Sequence, residues 1–136
     1  PAMLGFGASA IGHLPQGYIQ NASPLKEYRD TVSGGEFAIA RGFARAPEDR
    51  LRSEIIERLM CDLAVDLDEV AKRHNADVTM FIPEMAKLTD MANDGIVTIG
   101  NNKIQVTETG RPFVRLVAAA FDAYLSQGKA RHSRAV

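Results

Sequence analysis

Apolar residues recur at intervals of three and four at Leu51, Ile55, Ile56, Leu59, Met60 and Leu63, a period that a helix lays against a core and a strand cannot use. The stripe predicts a helix over 47–63, with Cys61 at its end filling a gap in the core. Asp66 and Glu69 have the spacing of an Asp-headed capping box, which opens a second helix through Leu67, Val70 and Ala71 to about residue 74, ended by Asn75. A third helix within 79–93 buries Phe81, Met85, Leu88 and Met91, holds Pro83 in its first turn and stops at Gly95. Ile96-Val97-Thr98-Ile99 and Lys103-Ile104-Gln105-Val106 flank Gly100-Asn101-Asn102, residue types that tolerate positive φ, so two short strands form a hairpin. Thr107 or Thr109 caps a closing helix to about residue 127, with Phe113, Leu116, Val117, Ala120, Phe121 and Tyr124 as its apolar stripe and Gly128 as its stop. A basic tail over 129–136 is expected to fray.

Three helices, a two-stranded wing and a closing helix over 47–128 resemble a winged-helix module, and the fold class expected is mostly α. Residues 1–46 read differently. Met3-Leu4-Gly5-Phe6-Gly7-Ala8-Ser9-Ala10-Ile11-Gly12 is apolar and glycine-rich, like a strand entered in mid-stream with no hairpin partner beside it. Residues 13–21 read as a loop with Pro15 and Gly17. Ser23 caps a short helix over 24–32, stopped by Ser33-Gly34-Gly35, and an extended segment over 36–43 places Phe37, Ile39 and Phe43 on one side.

The 136 residues are 46% hydrophobic and 24% charged, ordinary values for a chain with one core, which excludes a disordered or collagen-like polymer. Sixteen Lys and Arg stand against 17 Asp and Glu, a net charge of −1, so no overall positive field favours nucleic acid or an anionic membrane. The third helix carries Glu84, Asp90 and Asp94 against Lys87 alone, the wrong sign for a DNA-reading helix. The one cysteine, Cys61, supplies no internal disulfide, structural zinc site or iron–sulfur ligand set. With no membrane-length apolar run and no signal-peptide pattern, a soluble protein of the reducing cytoplasm is expected. His13, His74 and His132 lack metal-ligand spacing and read as surface or helix-end residues. Asp49, Arg50, Arg52 and Glu54 read as a solvated face. Gly5-Phe6-Gly7 with Gly12 does not have the spacing of a dinucleotide fingerprint. Arg41 and Arg45 flank Gly42 in an extended stretch suited to pairing with a carboxylate.

The run Leu4-Gly5-Phe6-Gly7-Ala8-Ser9-Ala10-Ile11-Gly12, then Tyr18-Ile19-Gln20-Asn21 and Leu25-Lys26-Glu27-Tyr28, resembles the C-terminal part of the oxygen-independent coproporphyrinogen III oxidases. Ala40-Arg41-Gly42, Asp49-Arg50-Leu51-Arg52, Leu59-Met60-Cys61, Asp94-Gly95-Ile96-Val97, Ile104-Gln105-Val106-Thr107 with Gly110-Arg111, and Phe121-Asp122-Ala123-Tyr124-Leu125 follow in the family's order. The resemblance implies a parent enzyme of haem biosynthesis that uses S-adenosylmethionine and a [4Fe-4S] cluster. Hydrogen is taken from a propionate of coproporphyrinogen III, carbon dioxide leaves and an acceptor removes the remaining electron, giving protoporphyrinogen IX. It implies further that residues 1–46 end a radical S-adenosylmethionine barrel and connect it to the winged-helix-like domain. The three-cysteine cluster motif lies in the missing N-terminal catalytic barrel, so this chain has no catalytic or metal-binding residue of its own, binds no cofactor alone and is inactive. Ile11 matches a position that contacts S-adenosylmethionine. Gln20 and Asn21 match a loop at the active-site opening, and Arg41 is the candidate propionate contact. The parent is expected to be monomeric. Two other readings remain open: the C-terminal region of a radical S-adenosylmethionine haem chaperone, and a non-enzymatic winged-helix interaction module.

Overall fold

The computed structural model describes residues 2–125, which form two compact units, 2–46 and 47–125. Of the described residues 45% are helical and 22% lie in strands, so the fold is a mixture of helix and strand, not mostly α. Gln127, Gly128, His132 and the 129–136 tail lie outside the described residues.

The first unit is an antiparallel sheet of β1 (Ile11–Leu14), β2 (Gly17–Asn21) and β3 (Ile39–Ala44) in the order β1-β2-β3, with α1 (Leu25–Ser33) between the last two strands. The glycine-rich opening is not a strand. Only Met3 bridges to His13, and Gly7 (φ 101°) and Ser9 (φ 61°) turn the backbone out of the β region, a bend that glycine makes without a Cβ clash. The stretch read as a loop is instead the β1-β2 hairpin, with Leu14 opposite Gly17. A Cβ at Gly17 would lie 2.0 Å from the carbonyl oxygen of Phe43, so the close approach of β3 requires glycine there. Ser23 does not cap α1. Pro24 takes the cap position in an extended conformation with no side-chain cap bond, which leaves Ser23 one residue too far from the first turn. Among the apolar residues of this unit only Ala22 and Ala38 are buried, while Phe6 and Phe37 are 87% and 91% exposed. The unit therefore has almost no core of its own.

The second unit contains α2 (Pro47–Asp62), β4 (Ala64–Asp66), α3 (Leu67–Arg73), α4 (Ile82–Lys87), α5 (Thr89–Asn93), β5 (Val97–Gly100), β6 (Lys103–Val106) and α6 (Val114–Ala119), with single 3-10 turns before α4 and α6. Leu51, Ile55 and Leu59 of α2 are buried against Val70, Phe81, Ile104, Val117 and Phe121. Cys61 is exposed and fills no core gap, because two residues past Leu59 is about 200° around the helix. The Asp66 carboxylate accepts from the Glu69 amide at 3.1 Å, as a cap should, and Asn75 ends the turn at φ 53°. The wing has three strands, in the order β4-β6-β5. Its tip is Asn101-Asn102, both at positive φ, the geometry of a type I′ turn.

Two helices are shorter than their stripes suggest. The third is a 3-10 turn over Val78–Phe81 followed by α4 and α5: Asp77 caps Thr79, and Pro83 sits at the start of α4. The closing helix stops at Ala119, where the amides of Ala120, Phe121 and Asp122 bond three residues back. The Asp122 carboxylate then captures the amides of Tyr124 and Leu125, an alternative to helix that Asp offers its own neighbours. Phe121 turns inward, edge-on to Phe81 with centroids 5.8 Å apart. Phe113, Leu116 and Tyr124, placed on the apolar stripe by their spacing, remain exposed.

Charge on α2 is structural, and Arg52 and Glu54 are not part of a solvated face. Arg52 Nη1 donates to Glu84 Oε1 at 2.9 Å and to the Phe121 carbonyl at 3.2 Å, while its Nε donates to Glu48 at 2.7 Å. Glu54 accepts from His74 Nε2 at 2.7 Å, and also from Arg73 and Arg58. Partial burial works against the charged form of Glu54, but the His74 hydrogen bond and the Arg73 and Arg58 charges together outweigh it and hold its carboxyl below its ordinary value. A depressed folded-state value stabilises the fold above the unfolded-state value, and that stability is lost as pH falls through the depressed one. The urea midpoint of the second unit is therefore expected to fall as pH drops below the ordinary glutamate range, and to fall less in Glu54→Gln. Equal acid sensitivity in the two proteins would contradict this.

Candidate functional site

Antiparallel register brings the candidate residues together. Ile11 of β1 stands opposite Gln20 of β2, and Gln20 stands opposite Arg41 of β3, so the three form one transverse row on one face of the sheet. Two residues along, where side chains return to the same face, His13 opposes Tyr18 and Tyr18 opposes Phe43. Ile11, Tyr18, Gln20, Arg41 and Phe43 line a groove of about 300 Å³, together with Ile19 and Gly42. Ile11, Tyr18 and Phe43 make its surface largely apolar. The second row is braced from behind: the His13 and Tyr18 rings stack with centroids 4.8 Å apart, Arg45 Nη1 donates to His13 Nε2 at 2.6 Å, and the Arg45 guanidinium lies 5.5 Å over the Tyr18 ring. His13 is thus a strand residue with defined partners, while His74 closes α3 as its C-cap.

Arg41 supplies the positive charge of the groove. Its Nε donates to Gln20 Oε1 at 2.7 Å, and among the described residues no carboxylate pairs with it. Its terminal N–H groups form the planar fork that matches a carboxylate. Arg29, by comparison, has Asp30 3.9 Å away. A site with one free guanidinium edge beside apolar side chains suits an anion carried on an apolar body.

Asn21 does not line the groove. The ladder shifts register between Gln20 and Asn21, and the Asn21 amide nitrogen donates to the carbonyls of Gly5 and Gly7 at 3.3 and 3.0 Å. Tyr28 holds the same loop, its hydroxyl accepting from the Gly7 amide at 3.1 Å. Tyr18 and Phe43 join the site although neither residue type signals chemistry on its own. The period-two spacing of Tyr18 with Gln20 and of Arg41 with Phe43 is the signal that places them there. Among the described residues no group of three His, Cys, Asp or Glu side chains is arranged to hold a metal.

A family model described as the HemN C-terminal domain matches residues 46–113. An oxygen-independent coproporphyrinogen III oxidase of Bradyrhizobium diazoefficiens is 44% identical over 134 residues, covering 98% of this chain and 30% of that protein. The protein of the same name from Escherichia coli is 36% identical over 132 residues, covering 95% and 28%. The chain thus spans less than a third of the length of these relatives. A solved Escherichia coli structure, described as coproporphyrinogen III oxidase (HemN) and a radical SAM enzyme, superposes with a TM-score of 0.84 at 32% identity, over 91% of this chain and 29% of that one.

Proposed function

The chain belongs to the HemN C-terminal domain family, and from that premise we propose that it is the C-terminal part of an enzyme that oxidatively decarboxylates coproporphyrinogen III to protoporphyrinogen IX. The observation that carries this reading is the row Ile11, Gln20 and Arg41. An apolar wall ending in a guanidinium without an acidic partner suits a tetrapyrrole rimmed with propionates. Arg41 holds a propionate by charge-assisted hydrogen bonds, with Gln20 beside it. Asn21 serves the substrate through the loop it fastens.

Two cofactors follow from the radical SAM description of the Escherichia coli relative. The iron–sulfur cluster does not fit this chain: Cys61 is its one cysteine, and it lies exposed at the end of α2. No cluster step is assigned to these residues, and the chain alone is inactive. S-adenosylmethionine fits better, because Ile11 is 54% exposed at the groove edge and offers an apolar contact for the adenine face. S-adenosylmethionine held against Ile11 would supply the radical chemistry that acts on the propionate. This chain orients the propionate and excludes water from it.

The second unit, read as a winged-helix-like module from its helix, three-stranded wing and closing helix, covers the mouth of the catalytic barrel. The barrel is the main partner, and it covers apolar side chains such as Phe6 and Phe37. The parent is read as a monomeric cytoplasmic enzyme, and the near-balanced charge argues against nucleic acid or an anionic membrane as its partner. No described helix is long and apolar enough to cross a membrane.

The test uses a chimera in which this chain replaces the matching segment of the Bradyrhizobium diazoefficiens relative. Ending the chimera at residue 46 is expected to raise KM for coproporphyrinogen III and lower kcat, with the cluster still loaded. Unchanged constants in the shortened protein would refute the covering role.

A further inference from the structure

Both ends of the Gln20 carboxamide are committed. Its Nε2 donates to the Ser9 carbonyl at 3.1 Å and its Oε1 accepts from Arg41 Nε at 2.7 Å. The opposite orientation of the amide would set oxygen against the Ser9 oxygen and NH₂ against the guanidinium, two donors or two acceptors facing each other. The far partner is fixed in its turn: the Ser9 amide donates to the Ala22 carbonyl at 2.9 Å, and Asn21 and Tyr28 hold the preceding glycines. A flexible arginine loses rotamer freedom when it binds a carboxylate, and an Nε already hydrogen-bonded reduces that loss while aiming the terminal N–H groups.

Resting on the functional reading above, we propose that Gln20 is a positioning residue, not itself a substrate contact: it orients Arg41 for a propionate and ties that orientation to the loop ahead of Ile11. The hydrogen bonds run in series from the Ser9 carbonyl through Gln20 to Arg41, so a change at Gln20 acts on the anion through Arg41.

The chimera provides the test, with coproporphyrin III as a fluorescent binding probe and coproporphyrinogen III as substrate. Gln20→Leu is expected to raise the probe Kd and the substrate KM about tenfold, with a smaller change in kcat. Gln20→Glu, which sets an anionic oxygen against the Ser9 carbonyl and pairs with Arg41, is expected to weaken the probe more than Gln20→Leu does. In an Arg41→Leu background, Gln20→Leu is expected to have no further effect on Kd. Additive losses in the double variant would overturn the positioning role while leaving the functional reading in place, and so would a Gln20→Leu protein with unchanged Kd and KM. An unsubstituted chimera that carries its cluster yet neither binds coproporphyrin III nor turns over substrate would overturn the functional reading, and this role with it. Matching melting temperatures among the variants separate these effects from a folding defect.

Discussion

Arg41→Leu in the chimera is expected to lower kcat/KM for coproporphyrinogen III by about 30-fold or more, the equivalent of about 2 kcal/mol. The loss has two parts: the guanidinium contact disappears, and the propionate that it held is left against the apolar side chains of Ile11 and Phe43. A carboxylate without a partner in such a groove is the costlier part. Arg41→Lys keeps the charge but not the planar fork, so an intermediate value is expected. Because Arg41 is exposed and bonded only to Gln20 among the described residues, its removal should move the melting temperature little. A folded Arg41→Leu chimera with undiminished kcat/KM would remove Arg41 from the site.

The second large effect is on stability. Arg52→Met is expected to destabilise the second unit by about 3 kcal/mol, read from the urea midpoint. The side chains of Arg52 and Glu84 are only 12% and 10% exposed, and Glu84 Oε2 is buried without a hydrogen-bond partner among the described residues. Removing Arg52 therefore leaves a buried carboxylate with its other oxygen unpaired as well. It also strips the Phe121 carbonyl of a donor and uncovers the Phe81 ring over which the guanidinium lies at 5.6 Å. The double substitution Arg52→Met with Glu84→Leu should recover much of the loss, since replacing a whole buried pair by apolar groups is often close to neutral. Additive losses in the double variant would contradict this account of the pair.

What is legible in a sequence follows from how local each signal is. The α2 stripe, the Asp66 cap and the Asn101-Asn102 turn are each set by residues within a few positions of one another, and each is present. β4 was not legible, because three residues with one buried side chain, Val65, become a strand only by pairing with β6. The β1-β2 hairpin was missed for a related reason. Its connection, Pro15-Gln16, lacks the positive-φ residues that mark a two-residue turn, whereas the apolar, glycine-rich stretch around Gly5 and Gly7 imitates a strand. Arg52 looks solvated in the sequence because a charged residue near a helix start normally is. Its neighbour Leu51 on the buried stripe and its spacing of four from Glu48 were the available hints. At the site, the residue types of Gln20 and Arg41 were visible, but the register that sets them side by side and the absence of an acidic partner are properties of the folded sheet.

If, as proposed, this chain completes a coproporphyrinogen III oxidase, the chimera forms product. Anaerobic incubation with coproporphyrinogen III, S-adenosylmethionine and a reductant is expected to yield protoporphyrinogen IX at a rate within about tenfold of the intact Bradyrhizobium diazoefficiens relative, which is 44% identical over the exchanged segment. A folded chimera with a fully loaded cluster that forms no protoporphyrinogen IX would exclude that role for this chain.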